Sequence, residues 1–276
     1  MAKKIRADEK GLTPLLGAMF VVSIVITLFS AFLATWAPSE MNRREREHLQ
    51  LVGESFRELR TTIESLRIGE SRTVSLKMGP DPVPLVPSPR TGGMLSITPT
   101  STPFPTSEPW ENYWENYWEN DPGNIKFEFG DQSWIYEMGM IILIQDNVEL
   151  MGSAPRVVTA WEASEDELGV YVDIIKVRGL ERSISGTSTS TITVSILRRF
   201  EKNERRENAV IKINSSYRGA WREYLASENE RLGAKGYNPS LDENNLTLTI
   251  EGKDNTPGVN DIIYYQKVTE VWVSIS

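Results

Sequence analysis

The stretch LTPLLGAMFVVSIVITLFSAFLATWA, residues 12–37, contains no charged side chain. At about 1.5 Å per residue, a helix of this length measures about 39 Å, more than the ~30 Å hydrocarbon core of a bilayer. In lipid, a single segment can pair all of its backbone N–H and C=O groups only as a helix. The many β-branched residues therefore do not indicate a strand here. Pro14 falls in the first turn, where a helix tolerates proline. The stretch predicts a membrane-inserting helix, and its length argues against a buried core helix.

The preceding residues 1–11, MAKKIRADEKG, carry charges right up to the glycine. A secretory signal has a shorter apolar core that ends at an A-x-A-like cleavage site, whereas this run ends in ATWAP. The boundary EKGLT at residues 9–13 resembles the leader of archaeal type IV prepilins, a class III signal peptide. The resemblance implies that a prepilin-type peptidase cuts between Gly11 and Leu12 on the cytoplasmic side and that the apolar helix stays with the mature protein.

The fifth position after this cut departs from the pattern of many type IV pilins. They carry Glu there, whereas this chain has Leu16. Many archaeal members also lack that Glu, so the departure bears more on filament assembly than on processing. The alternative to processing is an uncut N-terminal anchor.

Composition excludes several classes of function. The chain has 276 residues and a net charge of −8, which argues against a general nucleic-acid surface. It contains no cysteine, so disulfide scaffolds, Cys-ligated metals and thiol nucleophiles are all absent. The only histidine, His48, falls in the predicted stalk helix, where we expect an exposed polar side chain.

The two flanks of the apolar stretch give only a small charge bias. Four Lys or Arg precede it and three follow closely, so the positive-inside rule decides little. Two N-glycosylation sequons, at Asn214 and Asn245, and a Ser/Thr-rich second half favour an extracellular C-terminal part. We therefore expect a single-pass protein of the cell membrane with a cytoplasmic N-terminus, or a subunit of a surface filament.

Two stripes mark the predicted helix. Small residues recur at spacings of three and four: Ser23, Thr27, Ser30, Ala31 and Ala34. Such a stripe lets a second helix approach closely, and other pilin subunits are the partners that the resemblance implies; the alternative is the ordinary frequency of small residues in apolar helices.

Residues 38–69 predict an amphipathic continuation that ends at Gly69. The second stripe is an apolar seam with charged neighbours: Leu49, Val52, Phe56, Leu59, Ile63 and Leu66. We expect this seam to pack on the protein's own β domain, and a coiled coil between copies is the alternative.

Residues 70–124 predict one strand, at 73–78, followed by Pro-rich linker segments and a repeat. In the repeat WENYWENYWEN, Trp110, Trp114 and Trp118 recur every four residues. One interpretation is an aromatic platform that binds sugar rings or another surface. The other is a small duplication within a linker.

The chain resembles a group of uncharacterised archaeal proteins in four features. These are the strand at 73–78, the Pro-rich segment that follows it, GGML at 92–95 and AWREY at 220–224. These proteins join a pilin-type N-terminus to a β-rich domain. The resemblance covers most of the chain and implies no activity.

Residues 125–276 predict a β-rich extracellular domain with one helix, at 218–235. Strands are predicted at 125–129, 133–138, 140–145, 148–151, 156–161, 169–177, 190–200, 209–215, 246–251, 261–267 and 269–275. The turn at 145–147 predicts a hairpin, and the charged run 201–208 predicts a turn or exposed loop. The fold class is therefore α+β: a long N-terminal membrane and stalk helix, then a mainly antiparallel β-sandwich domain with one helix.

The β domain shows no motif for catalysis, a cofactor or a metal. There is no G-x-S-x-G elbow, P-loop or H-E-x-x-H, and one histidine on the stalk cannot complete a Ser-His-Asp triad in this domain. The loops 241–245 and 254–261 carry oxygen ligands, but their spacing matches ordinary turns better than a calcium loop. We predict no enzyme, no cofactor and no nucleic-acid partner.

Two classes of function remain. The first is a type IV pilin-like structural subunit, major or minor, of a surface filament. The second is a membrane-tethered surface protein whose β domain binds a partner or glycan without polymerising.

Overall fold

The computed structural model describes residues 9–83, 92–101, 122–163, 167–251 and 262–276. Contacts divide this described chain into two compact units. The first contains α1 as far as Glu47 and the short segment that begins at Asp81. The second begins at His48 and contains all the sheets.

The described ranges contain two helices and fourteen strands. Helix α1 spans Glu9–Ser65 and helix α2 spans Arg218–Ala234. The strands are β1 Ser71–Lys77, β2 Gly93–Thr98, β3 Asn124–Phe129, β4 Gln132–Glu137, β5 Met140–Gln145, β6 Val148–Ser153, β7 Val158–Glu162, β8 Leu168–Gly179, β9 Arg182–Gly186, β10 Thr189–Arg206, β11 Asn208–Lys212, β12 Asn238–Asp242, β13 Thr247–Glu251 and β14 Ile262–Ile275.

The N-terminal part of α1 is long and apolar enough to cross a membrane. Its most apolar 18-residue window has a mean hydropathy of 2.5, and none of that window is buried. Among the described helices, α1 alone meets these criteria. The candidate span predicted from the charge-free stretch is therefore present.

The strands form three sheets. The five-stranded sheet has the order β1-β10-β14-β8-β7, the six-stranded sheet the order β6-β5-β4-β3-β2-β9, and the three-stranded sheet the order β11-β13-β12. Neighbouring strands in these sheets run antiparallel, except β8 and β14, which run parallel. A long N-terminal helix followed by mainly antiparallel sheets and one further helix confirms the α+β class.

One hydrophobic cluster joins the seam of α1 to the five- and six-stranded sheets. Five seam residues in this cluster are at most 2% exposed: Val52, Phe56, Leu59, Ile63 and Leu66. Helix and sheet approach closely at Gly53, where a Cβ atom would lie only 2.8 Å from the Cη2 atom of Trp134. The seam thus packs on the β-rich part of the same chain, as its spacing predicted.

The same cluster corrects the prediction for His48. The side chain is 2% exposed, and its ring centroid lies 6.0 Å from that of Phe127 and 5.0 Å from that of Phe129. His48 precedes Val52 by four residues, so the two side chains share one face of the helix. The prediction of an exposed histidine was wrong because His48, directly before Leu49, belongs to the face of the helix that packs on the sheets.

A second cluster contains the buried face of α2. Four residues predicted to share that face are buried: Trp221, Tyr224, Leu225 and Leu232. They pack with the three-stranded sheet and with strands of the two larger sheets. The hydrophobic pattern of α2 therefore predicted its packing surface correctly.

The charged run 201–208 is not a loop, because β10 continues through it to Arg206. This half of β10 pairs with β14 from Glu201 opposite Lys267 to Arg206 opposite Ile262. Charges also pair within the strand, as Lys202 Nζ lies 2.7 Å from Glu204 Oε2. Pairing with a long buried neighbour outweighs the low strand propensity of these residues.

Other element boundaries also differ from the predictions. The two strands predicted at 261–267 and 269–275 are one strand, β14, and β2, β9 and β12 were not predicted. Helix α1 ends at Ser65, four residues before Gly69. Gly69 has φ +83° and its N–H donates to the Ile196 carbonyl oxygen at 3.3 Å, so this glycine turns the chain onto the five-stranded sheet.

The hairpin predicted at 145–147 is confirmed. Strands β5 and β6 pair antiparallel across Asp146 and Asn147, whose φ angles are 52° and 63°. Left-handed conformation at both central residues is the pattern of a type I′ turn, and Asn and Asp adopt it more readily than other non-glycine residues.

This turn gives a stability prediction. Asn147→Val is expected to lower the free energy of unfolding by about 1–2 kcal/mol, because a β-branched side chain is strained at positive φ. Asn147→Gly should leave stability unchanged or raise it, because glycine adopts this conformation freely. Urea unfolding followed by tryptophan fluorescence measures both. A Val variant as stable as the wild type would contradict the left-handed turn.

Candidate functional site

A cavity of about 190 Å³ lies in the second unit, between the last turn of α1 and one face of the five-stranded sheet. The lining mixes apolar and charged side chains. It consists of Ile63, Glu64, Met138, Gly139, Arg156, Asp173, Ile175, Arg199, Lys267 and Thr269.

Strand register places four of the polar residues together. Asp173 on β8 is directly opposite Lys267 on β14, and Arg199 on β10 is directly opposite Thr269 on β14. Residues two apart on a strand point to the same face, so Lys267 and Thr269 lie on one side of the sheet. Three adjacent strands thereby form the polar wall of the cavity.

The hairpin turn between β4 and β5 supplies another part of the lining. Met138 and Gly139 both have positive φ, at 49° and 79°, so this is a two-residue turn of the type I′ pattern. A Cβ atom on Gly139 would lie 3.7 Å from the Cδ1 atom of Ile175. The turn therefore packs closely against β8 at the edge of the cavity.

Both acidic groups of the lining have a cationic partner. Lys267 Nζ donates to Asp173 Oδ2 at 2.6 Å, and Arg60 Nε donates to Glu64 Oε1 at 2.7 Å. Arg60 also donates a hydrogen bond to Ser153 Oγ. Each carboxylate thus has one cationic partner, and the second oxygen of Asp173, Oδ1, is buried without a hydrogen bond from the described residues.

Burial and the hydrogen bond between Asp173 and Lys267 shift the pKa of both groups. Burial raises the pKa of Asp173 above its ordinary value, against the opposing effect of the hydrogen bond from Lys267. Burial acts to lower the pKa of Lys267, but the hydrogen bond and charge of Asp173 outweigh it, so this pKa is raised. Lys267 therefore stays a cation at the wall of the cavity.

Among the described residues, the two arginines of the lining lack a direct ion-pair partner, although the charge of Arg199 also acts on Asp173. Within the described ranges, neither Arg156 nor Arg199 forms an ion pair. Arg199 Nε donates to Thr269 Oγ1 at 3.4 Å, and Arg156 is exposed. The cavity therefore carries an excess of positive charge.

The described part of the lining offers charged and hydrogen-bonding groups and contains no histidine, cysteine or serine. Among the described residues, no group of three or more His, Cys, Asp or Glu side chains is placed to hold a metal ion. The groups present can orient an anion by charge and hydrogen bonds.

The site residues predicted from sequence lie elsewhere. The backbone of Gly11 and Leu12 belongs to α1. The tryptophans 110, 114 and 118 lie outside the described residues. Asn214 and Asn245 are exposed, and Asn245 Nδ2 donates to Asp242 Oδ2 at 2.7 Å within its turn. Neither Asn214 nor Asn245 is among the residues that line the cavity.

Sequence reasoning missed the cavity because its residues are dispersed over the chain. One signal was present, since Asp173 interrupts the otherwise uncharged run 168–175. A charge at such a position needs a partner when the strand is buried. The identity of that partner depends on the parallel pairing of β8 with β14, which the sequence pattern does not reveal.

Fold and site together define an α+β protein with one helix suited to a membrane and a small basic cavity in its β-rich part. Comparison with family models, curated proteins and solved structures finds no match to this chain.

Proposed function

We propose that this chain is a type IV pilin-like, single-pass membrane protein of the cell surface. In this proposal a prepilin-type peptidase cuts between Gly11 and Leu12, and α1 then lies in the membrane or in the core of a surface filament. The β-rich part lies on the extracellular side. The exposed apolar surface of α1 is the observation that carries the proposal.

Eleven large apolar side chains of α1 are each 54–69% exposed. They are Leu16, Met19, Phe20, Val21, Val22, Ile24, Val25, Ile26, Leu28, Phe29 and Phe32. Full burial of one such side chain is worth about 1.5–3 kcal/mol, so leaving all of them in water is strongly unfavourable. Lipid or the apolar helices of other subunits would cover them on every side.

The hydroxyl groups in this part of α1 are compatible with lipid. Ser23 Oγ donates to the Met19 carbonyl oxygen at 2.8 Å, and Thr27 Oγ1 donates to the Ser23 carbonyl oxygen at 2.7 Å. Thr35 Oγ1 donates to the Phe32 carbonyl oxygen at 3.0 Å. Each of these three hydroxyls therefore has its partner within the helix, which avoids the cost of an unsatisfied polar group in hydrocarbon.

A charged cluster follows the apolar part and fits the membrane–water boundary. Glu40 Oε1 lies 2.6 Å from Arg43 Nη2 and 3.0 Å from Arg44 Nε, and Arg43 also pairs with Glu47 at 2.5 Å. Hydrogen bonds from Arg43 and Arg44 lower the pKa of Glu40 to about 2. The carboxylate stays ionised at any physiological pH, which favours a position outside the hydrocarbon core.

The stripe formed by Ser23, Thr27, Ser30, Ala31 and Ala34 supports association with other pilin subunits. Small side chains let helix backbones approach closely in an apolar environment. Because hydrophobic burial does not drive association between helices in lipid, close packing of this kind is the available source of affinity.

Peptide mass spectrometry of the N-terminus tests processing. In a cell that carries a prepilin-type peptidase, the first peptide of the mature chain is expected to begin at Leu12. A Gly11→Val variant, which alters the residue before the cut, should keep the leader and still associate with membranes. A wild-type chain with an intact Met1 leader would contradict the pilin assignment while leaving the membrane anchor unaffected.

The second candidate is a membrane-tethered surface protein that does not polymerise, and the basic cavity favours it because a structural subunit needs no ligand site. Isolation of surface filaments and identification of their subunits distinguishes the two. Finding the chain in filaments supports the pilin-like subunit. Finding it only in the membrane fraction, with its leader removed, supports the tethered protein.

A further inference from the structure

We propose that the cavity bounded by α1, β8, β10 and β14 binds a small organic carboxylate, a compact anion with an apolar body. Charge, size and lining each contribute to this assignment. It does not depend on whether the chain polymerises.

Charge balance selects an anion. Asp173 is neutralised by Lys267 at 2.6 Å, and Glu64 by Arg60 at 2.7 Å. Arg156 and Arg199 form no ion pair in the described part of the chain, and Asp173, the carboxylate on which the charge of Arg199 acts, is already paired with Lys267. A guanidinium matches a carboxylate through two parallel hydrogen bonds, so this pair of arginines favours that group.

Size limits the ligand to a small molecule. The cavity volume is about 190 Å³. An apolar protein cavity of about 150 Å³ holds benzene, whereas pockets for drug-sized ligands measure about 300–1,000 Å³. The site therefore has room for a body the size of a benzene ring with one attached charged group.

The remaining lining selects an apolar body over a bare inorganic oxyanion. Ile63, Met138 and Ile175 face the same space as the two arginines. Ile63 and Ile175 are at most 9% exposed and belong to the packed core around α1, so they form a fixed apolar wall. A ligand that contacts both walls gains apolar burial as well as charge pairing.

Benzoate is a suitable probe because it combines the expected size, apolar body and charge. The full-length chain in lipid nanodiscs is titrated by calorimetry at constant ionic strength, with empty nanodiscs as the blank. We expect saturable binding of benzoate and at least tenfold weaker binding of benzamide, which has the same shape without the charge. Inorganic phosphate, which lacks an apolar body, should bind more weakly than benzoate.

Variants assign the binding to the cavity. Arg156→Gln and Arg199→Gln are each expected to weaken benzoate binding about tenfold, the effect of losing one hydrogen-bonded charge. Arg182→Gln is the matched control. Arg182 is an exposed arginine on β9, likewise without an ion pair to any described residue, and this change should leave benzoate affinity unchanged.

Several results would overturn the proposal. One is the absence of saturable benzoate binding at millimolar concentration, and another is equal binding of benzamide. Phosphate binding at least as tightly as benzoate would replace the organic carboxylate with an inorganic oxyanion. Equal affinities of the Arg156→Gln and Arg182→Gln variants would place the site elsewhere. Because Arg156 is exposed and has no ion pair to any described residue, its replacement tests the site without threatening the fold.

Discussion

Replacing Glu270 with Gln is expected to lower the free energy of unfolding by about 3–5 kcal/mol, the usual effect of breaking a buried ion pair from one side. Glu270 on β14 is completely buried. Its Oε1 atom accepts from Arg178 Nη2 at 2.5 Å and Nε at 3.2 Å, and its Oε2 atom accepts from Arg198 Nε at 2.5 Å.

The size of this stability loss depends on the two arginine charges that remain after the substitution. Gln keeps the shape of Glu but removes its charge. The Arg178 side chain is only 5% exposed, so its charge would stay buried after losing the ion pair with Glu270. Arg198 is 27% exposed and can regain water, so most of the effect comes from Arg178.

The same ion pairs give stability a pH dependence. Burial alone would raise the pKa of Glu270, but the hydrogen bonds from Arg178 and Arg198 outweigh it and hold the pKa below its ordinary value of 4.5. The unfolded chain therefore binds more protons than the folded chain as the pH falls below that value. The contribution of Glu270 is complete above pH 4.5 and is lost as the pH falls through the folded-state pKa.

Urea unfolding of wild type and Glu270→Gln between about pH 3 and pH 7 measures both effects. The difference in stability between the two proteins should be largest near neutral pH and should shrink in acid. Glu181→Gln is the matched control, since Glu181 is exposed between β8 and β9. Its effect should stay within about 0.5 kcal/mol. A Glu270 variant no less stable than this control would show that the ion pairs contribute nothing net.

Local periodicity was enough to predict the class of this fold. The charge-free stretch predicted the candidate span, and spacings of three and four predicted the buried seam of α1. Alternation predicted most strands, and Asp146-Asn147 predicted a turn whose two residues have positive φ. Each of these signals depends on residues close together in sequence.

Features set by distant residues were not predictable in this way. His48 is buried because Phe127 and Phe129 lie beside it, and the charged half of β10 is a strand because β14 pairs with it. Helix α2 begins without a capping side chain of its own. Its first N–H groups instead donate to Glu149 on β6, 2.6 Å from Gly219 N and 3.1 Å from Ala220 N.

The candidate site belongs to this second kind of feature. Its charged residues come from α1, β8, β10, β14 and the segment between β6 and β7. The parallel pairing of β8 with β14 brings Asp173 beside Lys267, although 94 positions separate them in the chain. Without that topology, five charged residues in an acidic chain carry no signal of a common site.

Trp221→Ala is expected to lower the free energy of unfolding by about 3–5 kcal/mol. We expect the upper end of this range because the variant loses both the packing volume of the indole and its hydrogen bond. Trp221 on α2 is completely buried and packs edge-on against Tyr224, with ring centroids 5.8 Å apart. Its Nε1 atom donates to Glu137 Oε1 at 2.6 Å, and Glu137 is itself 1% exposed. Ala would leave a cavity and remove a donor from a buried carboxylate.

Trp221→Phe separates the two losses, because Phe keeps much of the volume and lacks the N–H donor. The Phe variant should lose about 1.5–3 kcal/mol, the range for a hydrogen bond to a charged group, and the further loss in the Ala variant measures the cavity. Arg222→Ala is the control on the next residue, where an exposed ion pair to Glu243 at 3.7 Å is worth at most about 1 kcal/mol. A Phe variant as stable as the wild type would mean that the other partners of Glu137, among them Ser215, which donates to the same oxygen, satisfy it without help from the indole. The docking of α2 would then depend on apolar packing alone.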